Sequence, residues 1–215
     1  MRFYTILALA SMLSVASAQQ APNPRDVRLA GDRFKPLTYD QMEPAQKTML
    51  ENLLAGERRG ATGPFNALLR SPEIGDLAQK FGAGVRFHSS LPSRLNELGI
   101  IITARYWTAQ YEWISHKRAA LAAGVSPAIV DAIAAGKRPA SMQADEEAVY
   151  NFSTELLRTK QVSDATFRAA TTAVGERGVV DLISVMGYYQ LVSMLLNVDR
   201  YPLAEGVQPE LKPLP

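Results

Sequence analysis

The sequence predicts an all-α fold, and two observations support this prediction. Apolar residues recur at three- and four-residue intervals along nearly every segment after residue 36, as on one face of an α-helix. Ser, Thr, Pro and Gly stand where such helices would begin and end. One β-branched run, Gly99–Thr103, could form a strand, but its flanks and length favour a helix and no neighbouring segment offers a hairpin partner.

The first 18 residues have the features of a signal peptide. Arg2 supplies a positive start, Tyr4–Val15 is almost entirely apolar, and Ala-Ser-Ala precedes Gln19. The apolar run is shorter than the roughly 20 residues that span a bilayer. We therefore expect cleavage after Ala18 and a periplasmic or secreted mature protein. An uncleaved N-terminal anchor is the alternative.

The mature chain is predicted to begin with an arm and continue into helices. Residues 19–36 are polar and proline-bearing, which predicts an extended arm. The next helix is expected to start at a Thr38 cap and stop at Gly56. Two helices should follow, separated at Ser71–Pro72, because proline disfavours helical geometry in the residue before it.

The central segment contains the most apolar of the predicted helices. It begins at a Ser93 cap and is apolar nearly all round, which is typical of a buried helix. The following helix is expected to restart at a Thr108 cap and end at Gly124, and the one after it at a Ser126 cap followed by Pro127. Three further helical segments are predicted, 144–160, 163–175 and 177–198.

These elements are expected to form one domain. Roughly 195 mature residues, in a chain that is 47% hydrophobic, can bury a single good core, and we assign it to residues 37–203. Residues 204–215 are rich in proline and are predicted to form an extended tail.

Composition excludes several classes of function. The formal charge of +2 and the scattered Lys and Arg residues give no electrostatic footprint for nucleic acid. After the signal peptide, we expect no segment to be long and apolar enough to cross a membrane, and therefore no membrane association after cleavage. The chain has no cysteine, which removes disulfides, thiol nucleophiles and thiolate metal sites together.

Glu97 is the first candidate for chemistry. It lies inside the predicted buried helix, between Leu95 and Leu98, where an ionised carboxylate is costly unless it is paired or neutralised. A salt bridge to Arg94, or a wet helix face, would also explain it.

Glu112 and His116 are the second candidate. Their spacing of four residues places both side chains on one helix face, and Glu112 should fall in the first turn, where the helix dipole favours its ionised form. A carboxylate beside an imidazole orients the ring and raises its basicity, as a general base requires. A solvated surface pair is the alternative.

The interval between the two glutamates decides whether they can share a site. A continuous helix would hold Glu97 and Glu112 about 22 Å apart. A break at Tyr106–Thr108 would fold the second helix back beside the first, and Glu97, Glu112 and His116 could then converge. The sequence therefore makes a chain reversal the condition for catalysis.

Other kinds of site have weaker support. Two carboxylates and a histidine could hold a divalent ion, but the paired Glu-x-x-His units of di-iron bundles are absent and His88 is the one other histidine. We therefore predict no metal and no cofactor. The aromatic residues are expected in the core, although they could line a site for a flat organic molecule; they are Tyr106, Trp107, Tyr111, Trp113, Tyr188 and Tyr189.

The segment 89–133, which contains the Tyr-Glu-Trp-x-x-His turn, resembles the carboxymuconolactone decarboxylase family, a group that includes the alkyl hydroperoxidase D-like proteins. The resemblance extends less sharply to Gly175–Val198 and covers roughly residues 62 to 203. It implies an all-helical fold, a homo-oligomer that is usually a trimer or hexamer, and pockets near subunit contacts.

The resemblance also implies roles for particular residues. In hydroperoxidase members a buried glutamate and a histidine relay protons to a Cys-x-x-Cys pair, and Glu97 and His116 match that relay. Ala109 and Glu112 occupy the two cysteine positions, so thiol peroxidase activity is chemically unavailable. Glu112 at the second position looks like the decarboxylase branch, where the task is proton transfer.

The sequence thus leads to one main hypothesis and two alternatives. The main hypothesis is a cofactor-independent lyase or isomerase acting on a small lactone or unsaturated carboxylate, with His116 moving the proton and Glu97 as a buried acid or relay. The residues assigned to substrate binding are Arg94, Arg105, Trp113 and Tyr188. The alternatives are a non-catalytic exported ligand-binding oligomer and a metal-dependent oxygen or peroxide enzyme.

Overall fold

The computed structural model describes residues 21–213, which form eight α-helices, two short 3₁₀-helices and no strand. This confirms the all-α prediction. The predicted signal peptide, residues 1–18, lies outside the described residues. The helices are α1 (Pro44–Ala55), α2 (Phe65–Leu68), α3 (Pro72–Phe87), α4 (Ser93–Tyr106), α5 (Gln110–Ala122), α6 (Pro127–Ala134), α7 (Ala144–Thr159) and α8 (Asp164–Asp199).

Helix α4 is the centre of the fold. It packs against α5, α7 and α8, and these three helices surround its apolar sides. Leu98, Ile100 and Ile101 are fully buried, as the all-round apolar pattern predicts. Because α4 is enclosed on several sides, a polar side chain on it must find a partner inside the protein.

The chain reverses direction between α4 and α5, where the sequence required a break. Thr108 has a φ of 50°, in the left-handed region that a β-branched residue rarely occupies. Its hydroxyl accepts a hydrogen bond from Nη1 of Arg105 at 3.3 Å. Thr108 therefore lies at the centre of the turn. The prediction that it is the N-cap of α5 is wrong, because Ala109 holds that position.

The other predicted helix ends are partly correct. Ser126 caps α6 by accepting a hydrogen bond from the backbone N–H of Ile129 at 3.3 Å, and Gly124 has the left-handed φ of 98° expected after α5. Thr38 instead precedes a short 3₁₀-helix, and α1 begins only at Pro44. Proline at the first helical position fixes φ in advance, which explains the later start.

Helix α8 is one long element with a break inside it. Gly175 has φ 72° and ψ 169°, outside the helical region, so the two segments predicted on either side are divided there. By length and composition α8 could cross a membrane, contrary to the prediction that no later segment could. Half of its most apolar window is buried against the rest of the protein, as in the core helix of a folded domain.

The two non-helical ends of the described chain lie against the helices. In the arm, the backbone N–H groups of Asp32 and Phe34 donate to the carboxylate of Asp199 at 3.2 and 2.7 Å, at the end of α8. In the tail, Leu211 is 4% exposed and belongs to the main core cluster. Glu210 accepts a hydrogen bond from Nε1 of the buried Trp113 at 3.0 Å, so the tail is attached to the first turn of α5.

We expect Leu211→Ala to destabilise the protein by about 2 kcal/mol or more, because it leaves a cavity in the core and loosens the tail on α5. Val207→Ala is the matched control in the same tail, since Val207 is 38% exposed and should change stability by less than about 0.5 kcal/mol. Urea unfolding measures both. Equal effects of the two variants would mean that the tail contributes no core contact.

Candidate functional site

The reversal at Thr108 brings the three ionisable residues of the main hypothesis together. Nδ1 of His116 lies 2.6 Å from a carboxylate oxygen of Glu97, and Nε2 lies 3.0 Å from one of Glu112. The side chains of His116 and Glu112 are each 5% exposed, and that of Glu97 is 12% exposed. The imidazole is therefore held between two carboxylates away from bulk water.

This arrangement keeps His116 protonated at neutral pH. Burial alone would lower the pKa of the imidazole, but its hydrogen bonds to Glu112 and Glu97, together with their charges, raise the pKa to about 9. Both ring nitrogens are engaged, and each N–H of an imidazolium can donate to one carboxylate. In this state the imidazolium of His116 is a proton donor, and it must lose that proton before it can act as a general base.

A cavity of about 230 Å³ opens beside this group. Glu112, His116, Tyr188 and Tyr189 are among the residues that line it. Glu97 is not among the lining residues, although it contacts Nδ1 of His116. Glu112 and His116 thus both face the cavity, and Glu97 contacts the other nitrogen of the ring.

Two arginines that sequence reasoning missed also line the cavity. Arg58, in the loop between α1 and α2, has its guanidinium within 6 Å of the rings of Phe65 and Tyr188, at 5.6 and 5.7 Å. Its Nε is buried with no hydrogen-bond partner among residues 21–213. Arg86, near the end of α3, is the second arginine. No spacing in the sequence links these arginines to the glutamates, because they come from separate elements.

The tyrosines close the cavity as neutral groups. The Tyr189 ring meets the His116 ring edge-on with centroids 4.8 Å apart, and the two tyrosine rings are 5.3 Å apart. Burial, and then the charge of Glu112, hold the pKa of Tyr189 well above its usual value, so its hydroxyl keeps its proton. Gly82 of α3 allows this packing, since a Cβ there would overlap the Tyr188 ring.

Arg94 is elsewhere, and its predicted contact with substrate is not supported. Its guanidinium lies 2.7 Å from carboxylate oxygens of both Asp145 and Glu146, where it ties α4 to α7. The sequence also suggests a salt bridge between Arg94 and Glu97, because the two residues lie three positions apart on one helix. The actual partners are distant in sequence and could not be read from that spacing.

Arg105 and Trp113 are also outside this cavity. Arg105 lies two turns beyond Glu97, about 12 Å along α4, and lines a different pocket. Trp113 follows Glu112 directly, and one residue turns the side chain by about 100° around the helix, so its indole faces the tail and the core. Of the four residues assigned to substrate binding, only Tyr188 lines the cavity.

The metal alternative gains no support. Within residues 21–213 no group of three or more His, Asp or Glu side chains is arranged to hold a metal ion. In the Glu97–His116–Glu112 group the carboxylates occupy opposite nitrogens of one ring, so their oxygens do not converge on a common point. His88 is exposed and pairs with Glu57 at 2.6 Å.

Comparison with known proteins found a family match in the centre of the chain. Residues 72–155 match the model of the carboxymuconolactone decarboxylase family. This central segment is similar to carboxymuconolactone decarboxylase domains. The match is shorter than the resemblance seen in the sequence, but it includes Glu97, Glu112 and His116. Arg58, Tyr188 and Tyr189 lie outside it, and the comparison with curated proteins gave no match.

The raised pKa of His116 predicts a pH-dependent contribution to stability. A group whose pKa rises from 6.5 to about 9 on folding stabilises the protein fully below pH 6.5 and loses this effect as the pH rises through 9. We expect the free-energy difference between the native protein and His116→Gln to shrink by up to about 3 kcal/mol between pH 6 and pH 10.

Urea titrations across this range measure the difference. His88→Gln is the control, because the exposed imidazole of His88 pairs with Glu57 at the surface. A difference that is constant with pH would show that His116 is not held as a cation.

Proposed function

We propose that this decarboxylase-like domain catalyses cofactor-independent proton transfer on a small lactone or unsaturated carboxylate, in a protein exported to the periplasm or beyond. The observation that carries the proposal is the Glu97–His116–Glu112 chain, which ends on a cavity that also contains Arg58 and Arg86. A proton donor, a carboxylate and anion-binding groups therefore meet in one enclosure.

In this proposal Glu112 is the residue that exchanges a proton with the substrate. It lines the cavity and accepts a hydrogen bond from His116, so a proton can pass from the imidazolium to the carboxylate as the substrate takes one. Glu97 holds the far nitrogen of the ring. It stabilises the imidazolium, fixes the orientation of the ring and acts as the end of the relay away from the substrate.

Decarboxylation at this site needs three steps. The carbon–carboxylate bond breaks, and its electron pair moves into a conjugated carbonyl to give an enolate, with carbon dioxide as the leaving group. Arg58 supplies positive charge and the hydroxyl of Tyr188 can donate a hydrogen bond to the enolate oxygen. The relay then protonates the carbon and recovers its proton from water, so one proton is consumed for each carbon dioxide released.

A second candidate is a ligand-binding protein without turnover. The observation that favours it is that both nitrogens of His116 are occupied by carboxylates, a closed arrangement that could be wholly structural. Such a protein would hold an anionic ligand with Arg58 and Arg86 and leave it unchanged.

Substitution of the relay separates the two candidates. We expect Glu112→Gln and His116→Gln each to lower kcat/KM by about 100-fold or more on a butenolide carboxylate, because each removes the proton path. Glu57→Gln and His88→Gln are matched controls, since they make the same changes in an exposed pair. Product formation is followed by the loss of ultraviolet absorbance and by carbon dioxide release.

Calorimetry on the same variants tests binding alone. If the native protein binds the compound tightly but forms no product, the ligand-binding candidate is correct. If the variants turn over substrate at the native rate, the proposed relay is wrong.

We also propose that the chain forms a homo-oligomer, a trimer or hexamer as the family resemblance implies. Ile74, Leu77 and Phe81 are 59%, 65% and 49% exposed along one face of α3. On α8, Val180 and Ile183 are 60% and 45% exposed. Contiguous exposed apolar side chains of this kind are typical of a surface that another protein covers.

We expect Leu77→Lys to lower the mass of the oligomer, because it places a charge in this apolar face. Leu121→Lys is the matched control, since Leu121 lies on α5 and is 36% exposed. Sedimentation velocity reports the mass of each. An unchanged mass for Leu77→Lys, or an equal loss for both variants, would exclude this face as the contact.

A further inference from the structure

A second pocket, with a volume of about 590 Å³, lies between the end of α4, the end of α6 and the middle of α7. It shares no lining residue with the cavity beside His116. The proposed function leaves it without a role.

Arg105 is the unusual residue of this pocket. It is 5% exposed, yet no carboxylate in residues 21–213 lies within salt-bridge distance of it. The bond it does make is the one to the hydroxyl of Thr108, at 3.3 Å, and its Nε is buried with no hydrogen-bond partner in the same residues. A guanidinium stays charged, and a buried cation without a counter-charge is costly.

The rim of the pocket is also positive. Lys137, Arg138 and Arg158 line it, and no acidic residue among those described does. Arg138 is paired with Glu147, whereas Lys137 and Arg158 have no carboxylate within salt-bridge distance in the described chain. Several like charges around one concavity raise the local concentration of anions.

The walls show what kind of anion would fit. Ile102, Ile133 and Leu157 supply apolar surface, and the rings of Tyr106 and Tyr150 supply aromatic surface. An inorganic anion would leave these apolar walls in contact with water. A carboxylate on an apolar or aromatic body would contact both the walls and the guanidinium. A planar carboxylate also matches the donor fork of arginine.

We propose that this pocket is a second ligand site, which binds a small organic acid with its carboxylate against Arg105 and its apolar or aromatic body against Ile102, Ile133 and Leu157. The site is independent of the proton relay. The proposal therefore stands whether or not the cavity beside His116 proves to be catalytic.

Benzoate is a suitable probe, with benzyl alcohol as its neutral counterpart. We expect the native protein to bind benzoate in calorimetry at low salt and to bind benzyl alcohol at least 10-fold more weakly. Arg105→Met keeps the length and apolar stem of the side chain and should weaken benzoate binding by at least 10-fold. Arg118→Met is the matched control and should leave this binding unchanged, since Arg118 is exposed on α5 and lines neither pocket.

Other outcomes overturn the proposal. Equal affinity of the native protein and Arg105→Met would do so, as would binding that Arg58→Met abolishes, because the probe would then occupy the first cavity.

If benzoate does not bind and Arg105→Met changes the mass in sedimentation velocity, a carboxylate from a second copy of the chain is the partner of Arg105. If Arg105→Met does not fold, Arg158→Met at the exposed rim replaces it, with an expected loss of about threefold; unchanged affinity there also overturns the proposal.

Discussion

The contact of one imidazole with two carboxylates is the constraint on which this structure depends. Three ionisable groups can be buried together only if each supplies what the others lack, and His116 does so by donating to Glu97 and Glu112 at once. That geometry requires α5 to fold back along α4, so the left-handed backbone at Thr108 is tied to the burial of charge. The backbone strain there, of order 1 kcal/mol or more, is offset by the contacts that the reversal creates.

Local periodicity is enough to predict the helices and the pairs of side chains within one helix. Helix α4 is recognisable because it is apolar all round, and the pair of Glu112 and His116 because four residues make about one helical turn. The convergence with Glu97 can be stated only as a condition, since nothing local fixes the angle between two helices. The N-cap prediction for Thr108 is wrong because threonine's preference for that position is only a tendency, and here Thr108 has a positive φ in the turn while Ala109 precedes α5.

The arginines show where such reasoning ends. Nearness to Glu97 in sequence assigns Arg94 to the site, but Asp145 and Glu146 on α7 hold it. Arg58 and Arg86 line the cavity and carry no signal in the sequence, because a charged residue in a loop or at a helix end is ordinary. Pairing between residues on distant elements depends on how the whole chain packs. Such pairs therefore cannot be predicted from the spacing of residues in a single sequence.

The cavity beside His116 is assembled from two sources. The relay lies within the matched segment, 72–155, while Arg58 and the tyrosines come from the chain on either side of it. Under the proposed function, the groups that move the proton lie in the matched segment, and most of the groups that would contact the ligand lie outside it. Changes in the loop before α2 or in the second half of α8 could retune selectivity and leave the proton path intact, which makes this scaffold a natural starting point for redesign toward new compounds.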